Sequence, residues 1–193
     1  TESIMTLIYA VAMGLSFAAM AIVARRIGEK DPERAAQAAG QIILLGVTCA
    51  AIFGLVLGSL APHLLGLMGA EPAVITLGTK FARIMLGGNA TVFLIFLINA
   101  VFRGAGDAVL AMRTLWLANA FNIALGPCFI FGLGPFPELG VTGAAVATNL
   151  GRGLGVCYQL WHLTRGKGRV HVRWHHFRPD GALVRRYSDQ PAV

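Results

Sequence analysis

Long uncharged apolar stretches follow one another along the chain, separated by short polar connections. Five of them are long enough to cross a bilayer: Ile4 to Ala24, Ile42 to Leu65, Ile84 to Phe102, Thr114 to Leu133 and Val141 to Leu163. At ~1.5 Å of rise per residue each covers roughly 28–36 Å, against a hydrocarbon core of about 30 Å. The first, third and fourth hold no charged side chain, the second meets Pro62 and His63 near its end, and the fifth carries Arg152 and ends near His162. Backbone polar groups in hydrocarbon must be paired within their own segment, so these spans are predicted to be helices. The expected fold class is all-α: a polytopic transmembrane helix bundle over residues 1–164, followed by a basic tail over residues 165–193.

Local chemistry places the helix ends. Asp31-Pro32-Glu33 puts an N-cap acid before a proline at the first helical position, so the second helix is predicted to begin near Pro32. Glu71-Pro72 marks the start of the third, which would run to Phe102, longer than the bilayer is thick, with Gly87-Gly88 as its bend. Pro127 removes a backbone donor and is expected to kink the fourth span. Trp116, Tyr158 and Trp161 fall where interfacial aromatic anchors belong.

Composition agrees with this pattern. Of 193 residues, 56% are hydrophobic and only 13% charged, about half the ~25% of a soluble domain. Cys49, Cys128 and Cys157 sit inside apolar runs and read as packing residues rather than a disulfide or metal framework. The net charge of +7 becomes informative once it is placed. Of the 16 basic residues, all except Lys80, Arg83 and Arg152 fall in the first connection, the third connection or the tail. This positive-inside pattern puts those segments in the cytoplasm and explains the charge without nucleic acid. The N-terminus then lies outside, and the chain begins at Thr1 without Met, so a preceding span is expected.

Two spans carry small residues at every fourth position: Gly46, Ala50, Gly54 and Gly58 on one, and Gly143, Ala147, Gly151 and Gly155 on the other. The first span offers a looser version in Gly14, Ala18 and Ala21. Helices associate in lipid through close backbone approach, which such stripes permit. Polar residues inside spans are costly and mark candidate cavity positions. Here they are Asn89, Asn99, Asn119, Asn122, Asn149 and Arg152. Asparagine also serves as glue between helices. Arg152 is harder to assign, since it lies about 16 Å from either end of its span, too deep to reach water easily. Its counter-group is either a set of backbone carbonyls or something in a polar lumen, because no Asp or Glu lies inside the five spans. Gly151-Arg152-Gly153-Leu154-Gly155 imitates a dinucleotide fingerprint without a preceding strand, and His171, His175 and His176 lie in a basic, aromatic stretch rather than a metal site. No nucleophile–base pair or carboxylate pair points to an enzyme.

Several connections resemble those of the multidrug and toxic compound extrusion (MATE) family. They are Gly104-Ala105-Gly106-Asp107, Asn122-Ile123-Ala124-Leu125-Gly126-Pro127 with Phe129-Ile130-Phe131-Gly132, and the run from Gly132 through Gly140-Val141-Thr142-Gly143 to Thr148. The resemblance implies helices two to six of a first six-helix lobe, with the tail as the cytoplasmic linker between lobes. It implies a cytoplasmic (inner) membrane location, and helix one and a second lobe as missing partners. It also implies export of cationic or amphipathic small molecules in exchange for Na⁺ or H⁺, with no other cofactor. Asn122 matches a cavity residue of the family, but the acid that many members carry four positions later is Gly126 here. Arg152 beside Asn149 is accordingly expected to hold a fixed positive charge where relatives bind a mobile cation. The chain by itself is expected to be inactive. A lipid-linked oligosaccharide flippase of the same superfamily, or a non-transporting truncated membrane protein, are the alternative readings.

Overall fold

The computed structural model describes residues 2–67 and 72–165, which form six helices and no strand. The predicted tail, with His171, His175, His176 and the basic residues beyond Arg165, lies outside the described residues. The helices are α1 (Glu2–Gly28), α2 (Pro32–Leu67), α3 (Pro72–Gly87), α4 (Asn89–Gly104), α5 (Ala108–Phe131) and α6 (Val141–Arg165). Each predicted span coincides with a helix, and the third is divided by a break at Gly88, where the sequence places a bend.

Among the described residues, four stretches are long and apolar enough to cross a membrane: Thr6–Gly28, Pro32–Leu60, Gly78–Gly104 and Ala108–Phe131. The fifth predicted span, α6, is a helix of similar length that falls short in apolarity. The cause is its inner face, where Gly143, Ala147, Gly151, Gly155 and Gln159 are buried and Asn149 and Arg152 lie close by. Such residues favour contact with protein over contact with lipid.

The start of α2 follows the predicted chemistry: Pro32 opens the helix and the Asp31 carboxylate accepts a hydrogen bond from the Arg34 N–H at 3.0 Å. The turn before it closes α1. The Asp31 N–H bonds to the Arg26 carbonyl and the Lys30 N–H to that of Ile27, with Lys30 in the left-handed region at φ 56°. The connection from α4 to α5 repeats this turn. Asp107 N–H bonds to the Phe102 carbonyl and Gly106 N–H to that of Arg103, with Gly106 at φ 85°.

The continuous apolar core is built around α4, which packs against α1, α2, α5 and α6. Ten of the 16 residues of α4 are buried against four of the 24 in α5, so α4 is the axis and α5 an exposed flank. Phe93, Leu97, Ile98 and Val101 are its innermost side chains. On α1 the contact face is Ile8, Ala12, Ser16, Ala19 and Val23, all buried. The stripe read from the sequence, Gly14, Ala18 and Ala21, lies on the exposed side. The buried face is itself small at Ala12, Ser16 and Ala19, and α4 adds to the close approach: a Cβ on Gly104 would stand 2.7 Å from the Met20 carbonyl.

The other glycine stripes divide by position. A Cβ on Gly46 would press to 2.5 Å on Leu97, and one on Gly54 would touch the Leu86 carbonyl at 3.4 Å. One on Gly58 meets nothing within 4 Å, so the described contact on α2 ends at Gly54. On α6 the three glycines of the stripe face α5: Gly143 against the Phe129 carbonyl, Gly151 against that of Ala118 at 2.8 Å, and Gly155 against the Ala118 side chain at 3.2 Å. The α5 helix runs on through Pro127 to Phe131 and is closed by Gly132 at φ 66°. Trp116 and Trp161 are exposed, as anchors facing lipid headgroups must be, and Cys157, read as a packing residue, also lies on an exposed surface.

Candidate functional site

The break between α3 and α4 collects polar groups. Helix α3 ends at Gly87 and α4 restarts at Asn89, and the Thr91 hydroxyl donates to the Gly88 carbonyl at 2.8 Å. From α6, the Asn149 amide donates across to the Ile84 carbonyl at 2.8 Å. Gly88 is what admits it, since a Cβ there would stand 2.2 Å from the Asn149 amide nitrogen. Asn89 is fully buried, and neither its Nδ2 nor its Oδ1 has a partner among the described residues. The Asn149 Oδ1 is likewise buried and unpartnered.

Arg152 follows Asn149 by one helical turn and reaches α1. Its Nη2 donates to the Tyr9 hydroxyl at 2.5 Å, and its guanidinium carbon lies 5.7 Å from the Tyr9 ring centroid. The other terminal nitrogen, Nη1, is buried without a partner. Tyr9 itself stands edge-on against Phe96 of α4, with ring centroids 6.0 Å apart. Of the two readings open for Arg152, backbone carbonyls or a polar lumen, the structure gives no carbonyl among the described residues as its partner. It shows a tyrosine, a residue that nothing in its own neighbourhood of the sequence singled out.

Asn122 of α5 donates from Nδ2 to the Thr148 hydroxyl at 3.3 Å, linking α5 to the same turn of α6 that carries Asn149. Gly126, one turn further on, is buried, yet a Cβ there meets nothing within 4 Å. Asn119 sits on the exposed side of α5, away from these groups. Asn99 belongs elsewhere too: it accepts from Gln159 at 2.9 Å, a buried pair ten residues further along α4 than Asn89. Thus Asn89 and Asn149 meet at the Gly88 break, Arg152 joins α6 to Tyr9 of α1 one turn further on, and Asn122 and Thr148 form a separate polar link between α5 and α6. Polar groups so placed in an apolar bundle can bind the polar parts of a solute or line a wet cavity.

Comparison with known proteins fits this arrangement. A family model described as MatE matches residues 1–128. Over 141 residues the chain is 33% identical to the probable multidrug resistance protein YoeA of Bacillus subtilis, covering 70% of this chain and 29% of that protein. It is 36% identical over 101 residues to the probable multidrug resistance protein NorM of Thermotoga maritima, covering 49% of this chain and 22% of that one. Among solved structures, an inward-facing multidrug resistance MATE transporter of the MOP superfamily superposes with a TM-score of 0.82 at 30% identity, over 92% of this chain and 40% of that one. The chain thus spans less than half the length of these relatives.

Proposed function

The chain belongs to the MatE family of membrane transporters, and on that premise we propose that it forms most of one lobe of a secondary transporter. In this reading amphipathic xenobiotics leave the cell across the cytoplasmic membrane in exchange for Na⁺ or H⁺. The observation that carries it is the group of polar side chains around the Gly88 break, where Asn149 crosses to Ile84 and Arg152 to Tyr9 inside an apolar bundle. Secondary transporters place their sites at such interrupted helices, with two halves rocking about them. Residues 1–164 are the bundle of that lobe, and residues 165–193 the cytoplasmic linker to the other. With Gly126 in place of an acid, the fixed charge of Arg152 takes the part that a mobile cation plays in relatives.

Counterflow of a fluorescent amphipathic dye into proteoliposomes tests the reading. A complete two-lobe transporter carrying this sequence is expected to accumulate dye against an imposed Na⁺ or H⁺ gradient. The 193-residue chain alone is expected to give no flux, because one lobe cannot alternate access. Gradient-independent leakage, or flux by the single lobe, would reject the proposal.

A further inference from the structure

We propose that Arg152 and Tyr9 form a subsite for an acidic group, carboxylate or phosphate, carried by a soluble amphipathic substrate. This rests on the transport reading above and narrows it, away from the cationic cargo that the family resemblance implies.

The argument starts from a charge without a counter-charge. Among the described residues, Asp and Glu occur only at helix starts, helix ends and connections: Glu2, Glu29, Asp31, Glu33, Asp107 and Glu138. The ion pairs they form with Arg25, Arg26 and Arg34 lie at the α1–α2 turn. Arg152 is instead in the middle of α6, its Nη2 spent on Tyr9 and its Nη1 buried with no acceptor. A buried guanidinium in an apolar surround is costly unless a negative or strongly accepting group meets it.

The geometry names the shape of what fits. Because the Tyr9 oxygen accepts from Arg152, its own O–H proton remains available to a third group. Nη1 and the Tyr9 hydroxyl are therefore two donors of one hydrogen-bonded pair with no acceptor for either among the described residues. Carboxylates and phosphates present paired acceptors that suit a guanidinium fork. A cation would meet the Arg152 charge directly. The Tyr9 and Phe96 rings, in edge contact, supply an apolar wall for the rest of the molecule.

Flavin mononucleotide and riboflavin, which differ by one phosphate, are suitable probes. Binding is read by flavin fluorescence polarisation on the 193-residue chain in phosphatidylcholine nanodiscs. We expect the phosphorylated flavin to bind about 10-fold or more tighter than riboflavin, as a hydrogen bond to a charged group gives. Arg152→Gln should reduce it to the riboflavin level, Arg152→Lys should retain part of the difference, and Tyr9→Phe should weaken it about 2- to 10-fold. The wild-type comparison stands even if a variant misfolds. Equal binding of the two flavins, no binding of either, or an Arg152→Gln protein that still prefers the phosphate would overturn the proposal. So would loss of the preference when phosphatidylglycerol is added to the nanodiscs, because a lipid phosphate would then be the occupant. Counterflow by the two-lobe transporter separates the two readings. Flux of cationic ethidium unaffected by Arg152→Gln, with no flux of the phosphorylated flavin, keeps transport and removes the acidic-group site. Arg152-dependent flavin binding without any flux keeps the site and rejects transport.

Discussion

At the scale of single residues, glycine positions decide how near the helices come. Gly143 faces a rigid neighbour, the Phe129 carbonyl, and a methyl group there would require α5 and α6 to part. Gly143→Ala is expected to destabilise the bundle by about 1–3 kcal/mol, the usual range for overpacking. Gly58 meets open space, and Gly58→Ala is expected to raise stability by about 0.5–1 kcal/mol, because alanine loses less backbone freedom in a helix. Thermal unfolding of both variants in one detergent checks the pair, and shifts of the same sign would refute the argument. The four-residue spacing made both stripes legible in the sequence. It did not say which members have a helix opposite them, since that depends on where the partner lies. For α1 it selected the wrong face: Ile8, Ala12, Ser16, Ala19 and Val23 share the seam with α4, while Gly14, Ala18 and Ala21 are exposed.

Among the elements, the two turns expected at the cytoplasmic face are the same structure built from different residues. Both end a helix with a left-handed residue followed by an aspartate that opens the next, Lys30-Asp31 in one and Gly106-Asp107 in the other. Asp107 drew notice only within a family-like connection, whereas Asp31 was legible by itself, because an acid before a helix has a local electrostatic reason. The left-handed Lys30 was not, since lysine carries no preference for that conformation and is held there by the backbone bonds around it. Lys30→Gly is expected to stabilise the chain by about 1 kcal/mol, and Gly106→Lys to destabilise it by a similar amount. Unfolding midpoints that failed to move in opposite directions would show that the turns are not equivalent. The first turn also responds to pH. Hydrogen bonds from Arg26 and then Arg25 hold the exposed Glu29 carboxyl below its ordinary value of 4.5. The stabilising link is therefore complete above that ordinary value and is lost as pH falls through the lower folded-state value. A carboxyl-carbon NMR titration of Glu29 with a midpoint at or above 4.5 would contradict the clamp.

Over the whole molecule, the sequence disclosed which residues were out of place in lipid more readily than what they touch. The central position of Arg152 was plain from its depth in an apolar span, and Asn149 from its place one turn earlier. Tyr9 was not marked, because it lies 143 residues from Arg152 and a single tyrosine near a span's outer end reads as an ordinary interfacial residue. The Gly88 break was legible as a glycine pair, but its use as the entry for Asn149 needed the fold. Gly126 joins these observations. It stands one turn beyond Asn122, buried, with no atom in the way of a larger side chain. Gly126→Asp should therefore be accommodated without steric cost, and it would place a carboxylate one turn beyond the Asn122–Thr148 bond. If the region is a wet cavity, the carboxylate is tolerated and makes the unfolding temperature of the variant depend on Na⁺ concentration, or on pH beyond the dependence that Glu29 already gives the parent chain. If the region is dry, the buried acid costs several kcal/mol and the variant fails to fold. Thermal unfolding across a Na⁺ and pH series separates these outcomes, and the first is expected, since the open space at Gly126 adjoins a turn whose polar side chain, Asn122, already bonds to a hydroxyl across the helices.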